Sequence, residues 1–135
     1  MLGEMISESK GKITACRVLP SEGQGPRFEI TFQGNGKLLG VETTDMGTYE
    51  SVLTAAGTYH GKGQGVITTR DGDLISWTGE GVGRPKGKGM AASWRGALYF
   101  NTSAPRLGQL NQAPVVFEYE VDEAGNTQSR EWEWK

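Results

Sequence analysis

The sequence predicts an all-β protein, a single antiparallel up-and-down β-barrel of about eight strands with little helix. Apolar and polar residues alternate with a period of two, and Gly, Asn or Asp interrupts this alternation about every 8 to 12 residues. Glycine supplies 21 of the 135 residues, more than twice the average share of about 7%, without the G-X-Y period of collagen. About eight or nine strands suffice to close a barrel and remove its edges, although a sandwich remains an alternative.

Length and composition indicate one domain spanning residues 1–135. The chain is 36% hydrophobic, holds four Trp, four Tyr and four Phe, and has a formal net charge of -2, which argues against disorder. No apolar run approaches the roughly 18 residues of a membrane helix, and the first residues do not resemble a signal peptide. With Cys16 as the single cysteine, we expect a cytoplasmic protein without a membrane partner.

The first strands run from the N-terminal segment into a hairpin. Residues 12–19 form one candidate strand, and Asn35-Gly36 is the favoured pair for a two-residue type I′ turn between residues 27–33 and 37–43. This turn would place six residues on one face: Phe28, Ile30, Phe32, Leu39, Val41 and Thr43. A further strand is expected at residues 48–53.

The central hairpin carries two stripes of glycine. A turn at Asp71-Gly72 would join residues 60–70 to residues 73–83, with a G-x-G-x-G pattern on each strand. In the two-residue register set by that turn, the stripes fall on opposite faces. Glycines at this spacing permit the sharp coiling and close backbone approach that a small barrel needs.

The last strands are residues 90–100, 114–122 and 127–134, and the loop at residues 102–112 has room for one helical turn. A four-residue loop at residues 123–126 gathers the apolar side chains on one face: Val115, Phe117, Tyr119, Val121, Trp132 and Trp134. The opposite face would then hold Glu118, Glu120, Glu131 and Glu133. We expect these glutamates to form an outer, solvated surface and not a metal or acid/base site.

The segment Gly61–Phe100 (GKGQGVITTRDGDLISWTGEGVGRPKGKGMAASWRGALYF) and the ending Val116–Val121 resemble small bacterial proteins of unknown function related to the allene-oxide-cyclase-like, or calycin-like, β-barrels. The resemblance covers roughly the C-terminal half to two thirds of the chain. Allene oxide cyclases and the related dirigent proteins guide a reactive intermediate inside an apolar barrel without a cofactor, and they are often oligomeric. None of their catalytic residues matches a position here, so the resemblance implies a fold and no catalytic assignment.

Candidate ligand-binding residues lie on the central and last strands. Arg95 and Tyr99 share a face with small residues, and an inward orientation of that face would hold an anionic or carbonyl-bearing ligand, whereas an outward one would pair Arg95 with a glutamate. Three tryptophans either line a hydrophobic pocket or pack in the hydrophobic core: Trp77, Trp94 and Trp132. Glu80 lies between two glycines. Burial would raise its pKa and suit it to acid or base catalysis, whereas the alternative is a carboxylate exposed on the surface.

Several functions are disfavoured by missing residues. A single histidine, His60, and a single cysteine exclude a thiolate cluster or a site with several imidazoles, so no metal is expected. The glycine patterns precede strands and not helices, which disfavours a phosphate or dinucleotide loop, and no cofactor is expected. The basic run Arg84–Lys88 indicates a solvated turn, and no nucleic acid partner is expected.

Three functional classes remain open at this point. The chain is a barrel that binds a small, largely apolar or amphipathic molecule, a cofactor-free isomerase or cyclase, or a structural or assembly module with a filled core. A homo-oligomer is compatible with all three, and any catalytic residue is unknown. A cavity would favour the first two classes over the third.

Overall fold

Eight antiparallel strands close into a barrel in the computed structural model, which describes residues 1–135. The strands are β1 (Leu2–Leu19), β2 (Arg27–Leu38), β3 (Val41–Leu53), β4 (Tyr59–Thr69), β5 (Leu74–Pro85), β6 (Ala92–Thr102), β7 (Val115–Val121) and β8 (Asn126–Trp134). Each strand pairs with its neighbours along the chain, and β1 pairs with β8 to close the sheet. The predicted up-and-down barrel is confirmed.

The only helix closes one end of the barrel. It is a 3₁₀ segment, Pro105–Asn111, between β6 and β7. Its Leu107 and Leu110 are buried in a core cluster with strand residues such as Ile75 and Val115. The Asn111 side chain accepts a hydrogen bond from the Thr102 backbone N–H at 2.8 Å and donates one to the Thr102 carbonyl at 2.9 Å, which fixes the helix against the end of β6. The structure contains no helix with the length and apolar character needed to cross a membrane.

The turn predicted at Asn35-Gly36 is wrong. β2 continues through both residues, and the chain reverses at Leu39-Gly40, where Leu38 pairs with Val41 and both turn residues have positive φ, 51° and 79°. This register pairs twelve residues of β2 with β3 and buries Leu38 to 1% exposure. Gly36 instead lets β1 approach closely, because a Cβ there would lie 2.5 Å from Ser9 Cβ.

The central hairpin has the predicted turn region but a different register. Thr68 pairs with Leu74, and Thr69 and Asp73 close the loop. Three residues lie between this closing pair, whereas the prediction had two. Gly61 therefore faces Gly81, and the two stripes lie on the same inner face instead of opposite faces. This register also sets Ile67 and Ile75 opposite one another, and both are buried.

The last hairpin also differs from the prediction by one residue. Phe117 pairs with Glu131 and Glu118 with Arg130, because the loop between Asp122 and Asn126 has three residues and not four. Trp132 and Trp134 therefore lie on the outer face, where Trp134 is 54% exposed. On the inner face of β8, Glu131 and Glu133 take the places predicted for Trp132 and Trp134, so only Glu118 and Glu120 of the predicted glutamate stripe lie on the outer surface.

The inner glycines leave room for two indole rings. A Cβ on Gly61 or Gly83 would lie within 2.7 Å of the Trp94 ring. A Cβ on Gly47 would lie 2.6 Å from the Trp77 ring, which also covers Gly65. The rings therefore lie directly against bare backbone, and side chains at these positions would displace them.

Candidate functional site

A cavity of about 70 Å³ lies inside the barrel between the aromatic rings. Its lining includes glycines of β4 and β5 and six aromatic residues on the inner face: Phe32, Tyr49, Trp77, Trp94, Phe117 and Tyr119. A cavity must have a volume of about 10 to 15 Å³ to hold one water molecule, and a cavity of about 150 Å³ holds benzene. The space is therefore larger than one water and fits a molecule, or the end of a molecule, of about four non-hydrogen atoms.

Aromatic contacts hold the walls of the cavity in place. The Phe32 ring stacks with Trp77 at a centroid distance of 6.2 Å and contacts Tyr119 at 5.5 Å. Tyr49 meets Trp94 edge to face at 5.5 Å. These contacts connect β2, β3, β5, β6 and β7 across the barrel, so the apolar wall is preformed.

Two carboxyl groups face this apolar interior. Asp45 of β3 accepts a hydrogen bond at Oδ1 from Trp77 Nε1 at a distance of 3.1 Å. Burial raises the pKa of Asp45 to about 6, although the bonds from Trp77 and the Met46 backbone oppose the rise. The Trp77 ring therefore forms part of the cavity wall and also donates a hydrogen bond to Asp45.

Glu131 of β8 is the second carboxyl group and is 7% exposed. Its Oε1 atom is buried without a hydrogen-bond partner. Burial, and then the negative charge of Asp45, raise the pKa of Glu131 to about 8, against a smaller lowering by Ser7. A buried carboxyl oxygen without a hydrogen-bond partner lowers the stability of the folded protein. Glu131 lines the cavity, where a bound molecule could supply the missing hydrogen bond.

Two tyrosines complete the polar part of the site. The rings of Tyr49 and Tyr119 pack at 89° with centroids 6.0 Å apart. Burial raises the pKa of Tyr49 to about 12, and burial followed by the proximity of Tyr49 raises the pKa of Tyr119 further. The buried Tyr119 hydroxyl has only a weak contact with the Tyr49 hydroxyl, and Glu131 Oε1 has no partner, so both atoms can accept a further hydrogen bond.

The inner face carries acids and no bases. By strand alternation, the inward residues of β1 to β8 include no Lys, Arg or His. Lys62 pairs with Glu80 on the outer side of the glycine hairpin, and Arg130 of β8 contacts Glu8 on the outer face. The interior is therefore electrostatically negative when either carboxyl group is ionised.

The structure separates the residues predicted to form a site. Trp77 and Trp94 line the cavity, whereas Trp132 is half-buried on the outer face and does not. Glu80 borders the cavity between Gly79 and Gly81, but its side chain is about half exposed on the outer face, with Oε2 3.3 Å from His60 Nε2. Tyr99 is 57% exposed on the outer face.

Arg95 takes the outward orientation, paired with glutamates. Its Nη1 lies 2.7 Å from Glu120 Oε2, and its Nε lies 3.9 Å from Glu118 Oε2. Partial burial acts to raise the pKa of Glu120, but the hydrogen bonds donated by Arg95, Ser93 and Lys86 together outweigh it and hold that pKa below its usual range. The condition for anion binding by Arg95 inside the barrel, an inward orientation, is not met.

We predict a small effect for Arg95→Ala. Because the guanidinium group is 45% exposed, its ion pairs are screened by water, and the free energy of unfolding should fall by no more than about 1 kcal/mol. Urea denaturation of the wild type and the variant measures this difference. A loss of about 3 kcal/mol or more would show that the outer pair supports the barrel itself.

The structure brings together no group of three or more His, Cys, Asp or Glu residues that could hold a metal ion. Asp45 and Glu131 form a pair only, and their surroundings are aromatic rings and a few hydroxyl groups. The polar chemistry available in the cavity is therefore hydrogen bonding and proton transfer by carboxyl and phenol groups.

Comparisons with known proteins identify the fold. No protein-family model matches the chain, and no curated protein matches it significantly. A protein of unknown function from Clostridium acetobutylicum superposes with a TM-score of 0.85 at 13% identity, over 98% of this chain and 99% of that one. A β-barrel-like protein from Acinetobacter baumannii gives a TM-score of 0.84 at 18% identity, over 100% and 96%.

An enzyme from Penicillium herquei is also similar, with a TM-score of 0.69 at 18% identity over 96% of this chain and 92% of that one. Together these structures show that the chain has the fold of a class of small closed β-barrels, which includes uncharacterised bacterial proteins and one enzyme. At such low identity they show the fold alone.

Proposed function

We propose that this protein binds a small, largely apolar molecule inside its barrel. The observation that carries the proposal is the cavity of about 70 Å³ walled by Trp77, Trp94 and Phe117. Tightly packed interiors rarely retain such a space, and it lies beside a buried carboxyl oxygen that lacks a hydrogen-bond partner. The cavity favours a binding barrel over an assembly module, which needs no internal space.

The sequence also supports expectations about the oligomeric state, the location and the partners of the protein. The likeness to allene-oxide-cyclase-like and calycin-like barrels supports an interior that receives a ligand, and a homo-oligomer is compatible with it. A cytoplasmic location rests on the single cysteine, Cys16, which has no intramolecular partner. Binding in this proposal requires no cofactor, no nucleic acid and no membrane.

A titration with 1-propanol tests the proposal. Its four non-hydrogen atoms match the cavity, and we expect saturable binding at millimolar concentrations, as ligands of this size allow. Two-dimensional NMR and tryptophan fluorescence should report changes at Trp77 and Trp94. Native mass spectrometry of the purified protein would add the oligomeric state and any retained ligand.

A pair of variants on β8 locates the bound probe. Ser129→Leu places a larger side chain in the cavity wall and should abolish binding, whereas Gln128→Leu changes the adjacent, outward position and should leave it intact. Binding that survives Ser129→Leu, or a wild type that binds neither 1-propanol nor a charged analogue of the same length, would contradict the proposal.

A cofactor-free isomerase or cyclase is the second candidate, and the two buried carboxyl groups favour it. Burial raises the pKa of Asp45 to about 6 and that of Glu131 to about 8, so near pH 7 one group is ionised and the other protonated. Such a pair offers a base and an acid in one apolar cavity. Turnover of a bound compound that is lost in both Asp45→Asn and Glu131→Gln would distinguish an enzyme from a binding protein.

A further inference from the structure

The buried oxygens of the cavity indicate what the ligand must carry. Glu131 Oε1 is buried with no hydrogen-bond partner within the protein, and the buried Tyr119 hydroxyl has only a weak contact with the Tyr49 hydroxyl. Asp45 of β3 lines the same cavity and accepts a hydrogen bond from Trp77 Nε1. A ligand without donors would leave Glu131 Oε1 unpaired, and that loss would oppose binding.

The charge of the interior is the second observation. The inward residues of all eight strands include Asp45 and Glu131 but no basic residue, so the protein itself supplies no counter-charge. Arg130, next to Glu131 in sequence, faces outward, and Lys62 borders the cavity through β4 but has its side chain exposed on the outer face. A cation that enters the cavity would meet both carboxyl groups in a water-poor setting, where charge-assisted hydrogen bonds are strong.

We propose that the ligand carries a protonated amine, which binds between Glu131 and Asp45 while its apolar part contacts Trp77, Trp94 and Phe117. This inference rests on the proposed function and names the chemical class that the same cavity selects. An ammonium group has three donors and no acceptor, which matches a wall of carboxyl and hydroxyl oxygens. An anion of the same size would be repelled by the ionised carboxyl group and would find no basic side chain on the inner face.

Amine binding should release a proton at neutral pH. The ammonium group favours the ionised form of Glu131, whose pKa in the empty barrel is raised by burial. The groups that face Glu131 from neighbouring strands are Ser7 of β1, Asp45 and Tyr49 of β3, and Tyr119 of β7. Near neutral pH the two tyrosines stay protonated, because their pKa values are raised. The pH dependence of amine affinity therefore comes from Glu131, with a contribution from Asp45 at lower pH.

A matched series of probes tests the inference. Propylamine, 1-propanol and propionate share their carbon chain and differ in charge, and we expect propylamine to bind at least about tenfold more tightly than 1-propanol near pH 7.5. Propionate should bind more weakly than either. Titration calorimetry in buffers of different ionisation enthalpy should show proton release with propylamine and none with 1-propanol.

Variants assign the preference to the two acids. Glu131→Gln should reduce the propylamine preference to about threefold or less and remove the proton release, and Asp45→Asn should also weaken the amine more than the alcohol. Glu118→Gln, a half-exposed glutamate on the outer face of β7, is the matched control and should change nothing. If Glu131→Gln folds poorly, Asp45→Asn and the calorimetry on the wild type still decide the question.

Binding of the three probes to the wild type and to the two interior variants distinguishes an amine-binding barrel from a barrel that binds any small apolar molecule. If neither alcohol nor amine binds, the proposed function fails and the inference fails with it. If 1-propanol binds and propylamine binds no better, the binding barrel stands and the amine is rejected. A preference for propylamine that persists in both interior variants would show that the amine is held elsewhere, which also overturns the inference.

Discussion

Glu131→Gln should make the protein more stable at about pH 8 and remove most of the loss of stability between about pH 5 and pH 8. In the folded barrel, burial and Asp45 raise the pKa of Glu131 from 4.5 to about 8. Between these two values the folded state holds a proton that the unfolded state has released, so rising pH favours unfolding. The linkage gives a decrease of about 3 kcal/mol in the wild-type free energy of unfolding across this range.

Urea denaturation at a series of pH values measures this effect, with the Glu118→Gln variant as an exposed control that should follow the wild type. Glu131→Gln should retain a weaker slope in the same direction, because the pKa of Asp45 is also raised, to about 6. Near pH 5 the wild type and Glu131→Gln should differ little, since Gln resembles a protonated Glu in shape. An unchanged slope in Glu131→Gln would mean that this carboxyl group is hydrated or paired in solution.

The sequence predicted the strands better than the turns that connect them. Period-two alternation depends only on which residues face a core, and it placed segments of all eight strands. Asn35-Gly36 has a strong preference for a tight turn, yet the chain turns at Leu39-Gly40. The longer ladder and the burial of Leu38 are tertiary gains that a local turn preference does not contain.

The interior carboxyl group at Glu131 was missed because of one residue in a loop. A slip of one position exchanges the two faces of a strand, so a four-residue loop sent Glu131 outward and Trp132 inward. That choice followed the rule that aromatic residues are buried and acids are exposed. The structure breaks the rule on β8, and rules of this kind commonly fail at functional sites.

Asp45 and the orientation of Arg95 illustrate two further limits. Asp45 lies on β3, between the two segments predicted as strands, 37–43 and 48–53, so no alternation was assigned to it and no motif marked it as part of a site. For Arg95 the alternation left both orientations open, because small residues accompany it on one face and Trp94 begins the other. Only closure of the barrel decides which face is inside, and that closure depends on all eight strands.

Trp94→Ala should destabilise the protein by about 3 to 5 kcal/mol, and the size of this loss should depend on Gly61. Trp94 is 5% exposed, stacks with Tyr59 and contacts Tyr49, so its truncation leaves a large void. Gly61→Ala should itself cost about 1 to 3 kcal/mol, because the new Cβ would lie 2.7 Å from Trp94 Cζ3.

In the double variant the two effects should not add. With the indole ring absent, the methyl group introduced by Gly61→Ala enters the vacated space, and the loss of backbone freedom in the unfolded chain offsets its remaining strain. Gly61→Ala should therefore cost less than about 0.5 kcal/mol on the Trp94→Ala background. Gly108→Ala, where a Cβ meets nothing within 4 Å, is the control and should be nearly neutral on both backgrounds. Urea denaturation of the wild type, the two single variants and the double variant measures the coupling energy between Gly61 and Trp94. Strictly additive losses would show that Gly61 is required for its backbone conformation and not because the Trp94 ring packs against it.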